Sequence, residues 1–159
     1  MPKIHKLEDI YIKSNGATLK IDMGRMERNL NNAQFMLDSA VMTSMVPYMP
    51  MQTGTFINVT RGMSASIAGS GEVVAAAPPY GQFLYEGKTM VDEKTGSPYA
   101  REGARKVLVS QFGGKTNARE DLQYSKHANP NVTDHWFEAA KEKNREEWRN
   151  VAARQMAKE

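Results

Sequence analysis

Gly113-Gly114-Lys115-Thr116 comes nearest in this chain to a nucleotide-binding motif. A phosphate-binding loop needs a further glycine upstream, between a strand and a helix, so that backbone N–H groups can cradle the phosphate oxygens. Val109 stands where that glycine belongs, and no helical pattern follows. The stretch reads as a loop. His127 and His135 lie eight residues apart, with Asp134 beside the second and His5 remote. Metal sites use tighter, regular spacing or a rigidly held third ligand, so capping or surface roles are expected for both. Asp92-Glu93 and the pair Asp134 and Glu138 supply carboxylates. Hydrolysis needs acids that converge on a pocket, and proximity in sequence does not supply that. No nucleophile elbow and no cysteine nucleophile is present. Arg101, Arg105, Lys106, Lys115 and Arg119 form a basic stretch that could meet phosphates. No aromatic residues interleave with it as base stacking would require, so a solvated loop is expected.

The totals narrow the classes further. The chain has 159 residues, the length of one ordinary domain, with 40% hydrophobic and 25% charged residues, a balance that folds. The formal net charge is +3 and the charges are interleaved, which makes a weak case for nucleic acid. With no cysteine, disulfides and thiolate metal sites are excluded. No apolar run approaches the ~20 residues of a bilayer span. Met1 to Asp9 carries charges and no apolar core, so no secretory signal is expected and a soluble protein made in a cytoplasm follows.

These residues must be positioned by a small set of elements. Ile4, Leu7, Ile10 and Ile12 suggest a short strand or a loose arm over residues 1–16. Asn15-Gly16 is a hairpin signal, and Thr18 to Asp22 alternates as a half-buried strand does. Met26, Leu30, Ala33, Leu37, Ala40, Val41 and Ser44 mark one face of a helix over 24–46, capped by Asp22 and stopped by Pro47 and Pro50. Thr55 to Thr60, Met63 to Ala68 and Glu72 to Ala77 are rich in strand formers and small residues. They predict an antiparallel sheet on which that helix packs.

Pro78-Pro79 then stops any strand, and Tyr80 to Gly87 forms a short aromatic turn or helix ending on a left-handed glycine. Residues 93–121 are polar and glycine-punctuated, and a loop of that length is usually functional or mobile. Leu122 to Lys126 pairing with residues 89–92 would close its base as a hairpin arm. Thr133 is an N-cap candidate for a last helix from Asp134 to Ala157. Phe137, Ala140, Asn144, Trp148, Val151 and Gln155 trace the narrow seam of that helix, with Trp136 and Ala152 beside it. Tyr80, Phe83, Tyr85, Trp136 and Phe137 are expected to form one aromatic cluster tying the aromatic turn to the last helix.

Four blocks carry a resemblance: Val46 to Thr55 after a helix, Pro79 to Lys88, Ser97 to Arg101, and His135 to Lys141. In that order they resemble the minor capsid proteins of tailed bacteriophages, in the head–tail joining or tail-completion group. The likeness runs from about Leu19 to Trp148. Gly81 and Ala139 depart from the group's frequent alanine and arginine at those positions.

The resemblance implies a virion structural protein of the neck, joining a DNA-filled head to a tail as a ring of copies. It implies assembly in the host cytoplasm, no catalysis and no cofactor. The partners implied are other copies, adjacent neck, portal-side or tail proteins, transiently packaged DNA, and no membrane. The fold implied is α+β: a small antiparallel sheet with a long helix in the N-terminal half packed on it, an extended hairpin arm at 93–121, and a C-terminal helix. The whole of 1–159 forms one domain in that reading, with 1–16 as an arm. The residues expected to make contacts or packing are Tyr80, Phe83, Tyr85, Glu86, Arg101, Val107, Trp136 and Phe137. Rival readings are a phage-encoded nucleic-acid-binding module or a small hydrolase.

Overall fold

Asp22 does cap a long helix: its Oδ1 accepts the Gly24 N–H at 2.8 Å, at the start of α1 (Gly24–Met45). The structure, a computed structural model, describes residues 4–158. Ahead of α1, β1 (Ile10–Ser14) and β2 (Ala17–Ile21) form an antiparallel hairpin. Asn15 and Gly16 turn it with φ of 48° and 79°, the positive values that a tight two-residue turn demands. After α1 come a single 3-10 turn at Val46–Tyr48, α2 (Thr55–Ile67) and α3 (Gly81–Tyr85). A second antiparallel hairpin follows, from β3 (Met90–Asp92) and β4 (Lys106–Leu108), and the chain ends in α4 (Trp136–Met156). The class is α+β, with two small antiparallel sheets, a long helix in the N-terminal half and a C-terminal helix.

The expected sheet over 55–77 is not formed. Residues 55–67 are α2. Its buried positions, Ile57, Thr60 and Ser64, repeat at helical spacing, and Ala68 continues the row just past its end. The β-branched side chains that suggest a strand are tolerated there because Thr60 folds its hydroxyl back onto the Phe56 carbonyl at 2.9 Å. Residues 72–77 are irregular because side chains, not a neighbouring strand, hold their backbone. Ser64 Oγ accepts the Val74 N–H at 3.3 Å, and Thr60 Oγ1 accepts the Ala77 N–H at 3.2 Å.

The chain divides into two compact units. Among the described residues the first comprises 4–44, 61–74 and 140–158. Ala33, Val41, Met42, Ala68, Ala140 and Trp148 are buried in it. Trp148 Nε1 donates to Ser44 Oγ at 2.9 Å. Buried Asp38 holds the turn after α2 by accepting the Gly69 and Gly71 N–H groups at 2.7 and 3.1 Å. The segment before β1 is strapped to α1 rather than loose: Asn31 bonds both backbone groups of His5, and Glu27 accepts the Leu7 N–H. The seam expected on α4 is the one observed, with Ala140 and Trp148 buried along it.

The β1–β2 hairpin corrects another expectation. Its residues are all exposed rather than half-buried. The cross-strand pairs Ile10–Ile21 and Ile12–Leu19 put four large aliphatic side chains on one face, each between 40% and 58% exposed. Tyr11, Lys13, Thr18 and Lys20 occupy the other face, as period-two alternation requires.

The second unit comprises 45–60 and 75–139. Met45, Met49, Ile57, Ala77, Val91, Val132 and Trp136 are buried in it. Helix α4 begins at Trp136 rather than Asp134. Thr133 does not cap it; its hydroxyl turns to Asp134, and the His135 carbonyl accepts the first helical N–H bonds, from Glu138 and Ala139. The expected pairing of 122–126 with 89–92 is also shifted. Strand β3 pairs with β4 instead, and the base of the excursion is closed by Thr89 N–H to Glu120 O and Leu122 N–H to Gly87 O.

Candidate interaction site

Two features of the second unit bring together most of the residues singled out from sequence. The first is the loop between β3 and β4. Asp92 ends β3 with its side chain fully buried. Its carboxylate accepts the backbone N–H groups of Lys94 and Thr95 at 2.8 and 3.1 Å, and that of Arg101 at 3.2 Å. The Arg101 guanidinium adds Nε at 3.0 Å and a second nitrogen at 3.2 Å. A buried carboxylate with this many donors is fully compensated. The arginine beside it, then those backbone donors, hold its pKa far below the usual carboxylate range.

Arg101 therefore staples the loop rather than standing free in a basic arm. Lys106 Nζ reaches the Pro98 carbonyl at 2.9 Å, and Thr116 Oγ1 donates to the Gly96 carbonyl. The Phe112 ring sits where a Cβ on Gly96 or Gly114 would fall, so both glycines are required by close approach. Val107 is half-buried in β4, opposite fully buried Val91. At the tip of this fixed loop Tyr99 is 87% exposed.

The second feature is a cluster of rings beside a cleft. Trp136 is fully buried and its Nε1 donates to the Ala75 carbonyl at 2.8 Å. Tyr85 and Phe56 meet its ring edge-on, with centroids 4.8 and 6.0 Å away. Tyr80 leans on Phe56 at 6.1 Å, and Tyr85 on His135 at 5.2 Å. Of the five rings expected as one cluster, Tyr80, Phe83, Tyr85, Trp136 and Phe137, Tyr85 meets Trp136 directly and Tyr80 reaches it through Phe56, which the expected strand over 55–60 leaves out of the cluster. Phe83 is half-buried; its N–H bonds the Tyr80 carbonyl and its carbonyl accepts from Lys88. Phe137 is half-buried on α4. Glu86 is exposed, with its carboxylate 3.4 Å from His135 Nε2.

Tyr80 is not buried with the others: half of it faces solvent, across an open cleft of about 710 Å³. Met51, Phe56, Leu84 and Tyr124 line the cleft with it, and Gln52, Thr53, Gln123 and His127 supply polar groups. Among the described residues no lysine, arginine, aspartate or glutamate lines it. Its far wall, residues 122–128, is held in place by bonds at either end. Tyr124 donates its hydroxyl to the Leu84 carbonyl, and Asn129 Nδ2 donates to the carbonyls of Val46 and Met49 at 3.1 and 2.7 Å. Burial, then the charge of Asp134, pushes the Tyr124 phenol up to about 12. Burial, then its bond to Glu138, raises Tyr85 as well. Both phenols are donors at neutral pH.

Sequence reasoning missed the roles of Asp92 and Tyr99. The Asp92-Glu93-Lys94-Thr95-Gly96 run carries the signal for the first, since an aspartate that accepts the N–H groups following it is a turn former. Nothing in the one-dimensional pattern marks the exposure of Tyr99.

Among the described residues no three His, Cys, Asp or Glu side chains gather as metal ligands would. No helix among them is long and apolar enough to cross a membrane. Comparison with protein-family models, with curated proteins and with solved structures returned no match.

Proposed function

We propose that the chain is a structural virion protein of a tailed bacteriophage, forming part of the neck that joins the DNA-filled head to the tail as a ring of copies. The observation that carries this reading is surface made to be covered. The β1–β2 hairpin presents Ile10, Ile12, Leu19 and Ile21 on one exposed face. A two-stranded hairpin is marginal in water unless its apolar face is packed. Each such side chain gains roughly 1.5–3 kcal/mol when a neighbour covers it. The stapled loop presenting Tyr99 adds a second, rigid contact element, of the kind that anchors interfaces. Support from sequence comes from the four ordered blocks between Val46 and Lys141. The partners are other copies and the adjacent neck, portal-side or tail proteins, and the protein resides in the virion at the head–tail interface.

The test is a phage deleted for this chain. Electron microscopy of the lysate is expected to show filled heads and free tails unjoined, with joining restored by the purified full chain. Mass spectrometry of purified wild-type particles is expected to find the protein in multiple copies. A normal yield of tailed particles from the deletion overturns the reading.

A further inference from the structure

Two features of the second unit complement one another, although neither is satisfied within its own chain. The tip Ser97-Pro98-Tyr99-Ala100 carries no formal charge, and its tyrosine is 87% exposed. The lining of the cleft beside Tyr80 holds no lysine, arginine, aspartate or glutamate among the described residues, and the cleft measures about 710 Å³. Met51, Phe56, Leu84 and Tyr124 supply apolar lining, and the hydroxyls of Thr53, Thr55 and Ser125 and the amides of Gln52 and Gln123 line it as well. From these we infer that the Tyr99 tip of one copy seats in the Tyr80 cleft of the next copy. This rests on the reading of the chain as a ring component and names the contact that closes the ring.

Three physical arguments select this occupant. A tyrosine left this exposed contributes almost nothing to its own fold, yet the loop bearing it is fixed by the buried Asp92 carboxylate and the Arg101 guanidinium. Fixing a loop in advance lowers the ordering cost of docking. Proline beside an aromatic suits a groove lined by aromatic rings, and tyrosine brings a large rigid area with one polar end for the amides and hydroxyls of the lining. The Tyr99 ring itself brings no charge into a lining without lysine, arginine, aspartate or glutamate, while the Lys106 ammonium stays on the Pro98 carbonyl at the flank of the tip. An occupant that inserted a charge would need a counter-charge that the lining does not offer. Knob and socket are different patches of one chain, so the contact is heterologous, the kind that generates a closed ring when its rotation closes.

The absence of cysteine allows a direct test with the full chain. Ala100→Cys, which leaves Tyr99 in place beside it, is mixed with Gln123→Cys, a position that lines the cleft, and treated with a short bis-maleimide. The control mixture pairs Ala100→Cys with Lys115→Cys, an exposed position that does not line the cleft. The expected result is a mixed dimer formed several-fold faster in the first mixture. Separately, sedimentation across a concentration series is expected to show self-association weakened at least tenfold by Tyr99→Ala and recovered by Tyr99→Phe, with the melting curve unchanged.

Equal cross-linking in the two mixtures, a wild-type chain that stays monomeric throughout, or self-association indifferent to Tyr99→Ala each overturns the inference. Particles carrying Tyr99→Ala that still join heads to tails, with the chain present in multiple copies, would sink this contact and leave the neck reading standing. Normal joining in the deleted phage sinks the neck reading whatever the cross-links show.

Discussion

Asp92 makes the shape of its loop depend on its charge. Its carboxylate accepts three backbone N–H groups and two guanidinium bonds from one buried position. With its pKa held below the ordinary 3.8 in the folded chain, the group contributes stability that is fully present above that value. As pH falls below it, the unfolded chain takes up the proton first and the contribution drains away. An asparagine keeps an acceptor oxygen but loses the ionic partner of Arg101. Asp92→Asn is therefore expected to be less stable than wild type at neutral pH, and the gap should narrow below the ordinary carboxylate pKa. Urea midpoints of both proteins from about pH 6 down to about pH 2.5 measure this. A gap constant across that range would mean that hydrogen-bond geometry, not charge, holds the loop.

At the level of elements, the contrast between Gly62 and Gly81 shows what α2 and α3 demand. Gly62 lies inside α2, and a Cβ there would meet nothing within 4 Å. Gly62→Ala is expected to stabilise the protein by roughly 0.5–1 kcal/mol through the helix preference of alanine. A Cβ on Gly81, at the start of α3, would lie 2.8 Å from the Ala76 carbonyl carbon and 3.1 Å from the Phe56 ring. Gly81→Ala is expected to cost about 1–3 kcal/mol by overpacking. Equilibrium denaturation of the two variants reads both signs. If Gly62 were instead the bulge of a strand pair, its substitution would be harmful. That alternative is what strand propensity suggests for 55–68, and the reason lies in the residues themselves. Phe56, Ile57, Val59 and Thr60 score as strand formers, whereas the row Ile57, Thr60, Ser64, Ala68 is interrupted by two small polar side chains that hide its helical period. Where local signals agree, the elements were legible: the Asn15-Gly16 turn, the Asp22 cap, the left-handed Gly87 after α3 and the α4 seam all stand where their chemistry places them. The cleft was not legible, because its walls come from segments as far apart as Met51 and Tyr124, which are brought together by the Asn129 bonds to the Val46 and Met49 carbonyls, the Tyr124 bond to Leu84 and the packing of Phe56 on Trp136.

For the molecule as a whole, stability and assembly are expected to separate. The apolar face of the β1–β2 hairpin lies open in the single chain, so its side chains contribute little to folding and much to whatever contact covers them. Leu19 is the most exposed of the four at 58%, and it pairs with Ile12 across the strands. Leu19→Thr removes most of the apolar surface and introduces a β-branched side chain suited to a strand. Its folding stability is expected to stay within about 0.5 kcal/mol of wild type, the usual range for surface positions. The purified variant, supplied to the deleted phage, is expected to restore joined particles at a clearly lower yield than wild type. The two measurements have to be made on the same preparation, because each has its own contrary outcome. A loss of about 2–5 kcal/mol, the range of a buried leucine, would mean that the face is covered within the chain. Unchanged stability with unchanged joining would mean that nothing in the particle uses this face. A near-neutral effect on folding with a clear loss of joining is the pattern that a docking surface produces, since covering apolar area appears only in the free energy of the assembled state.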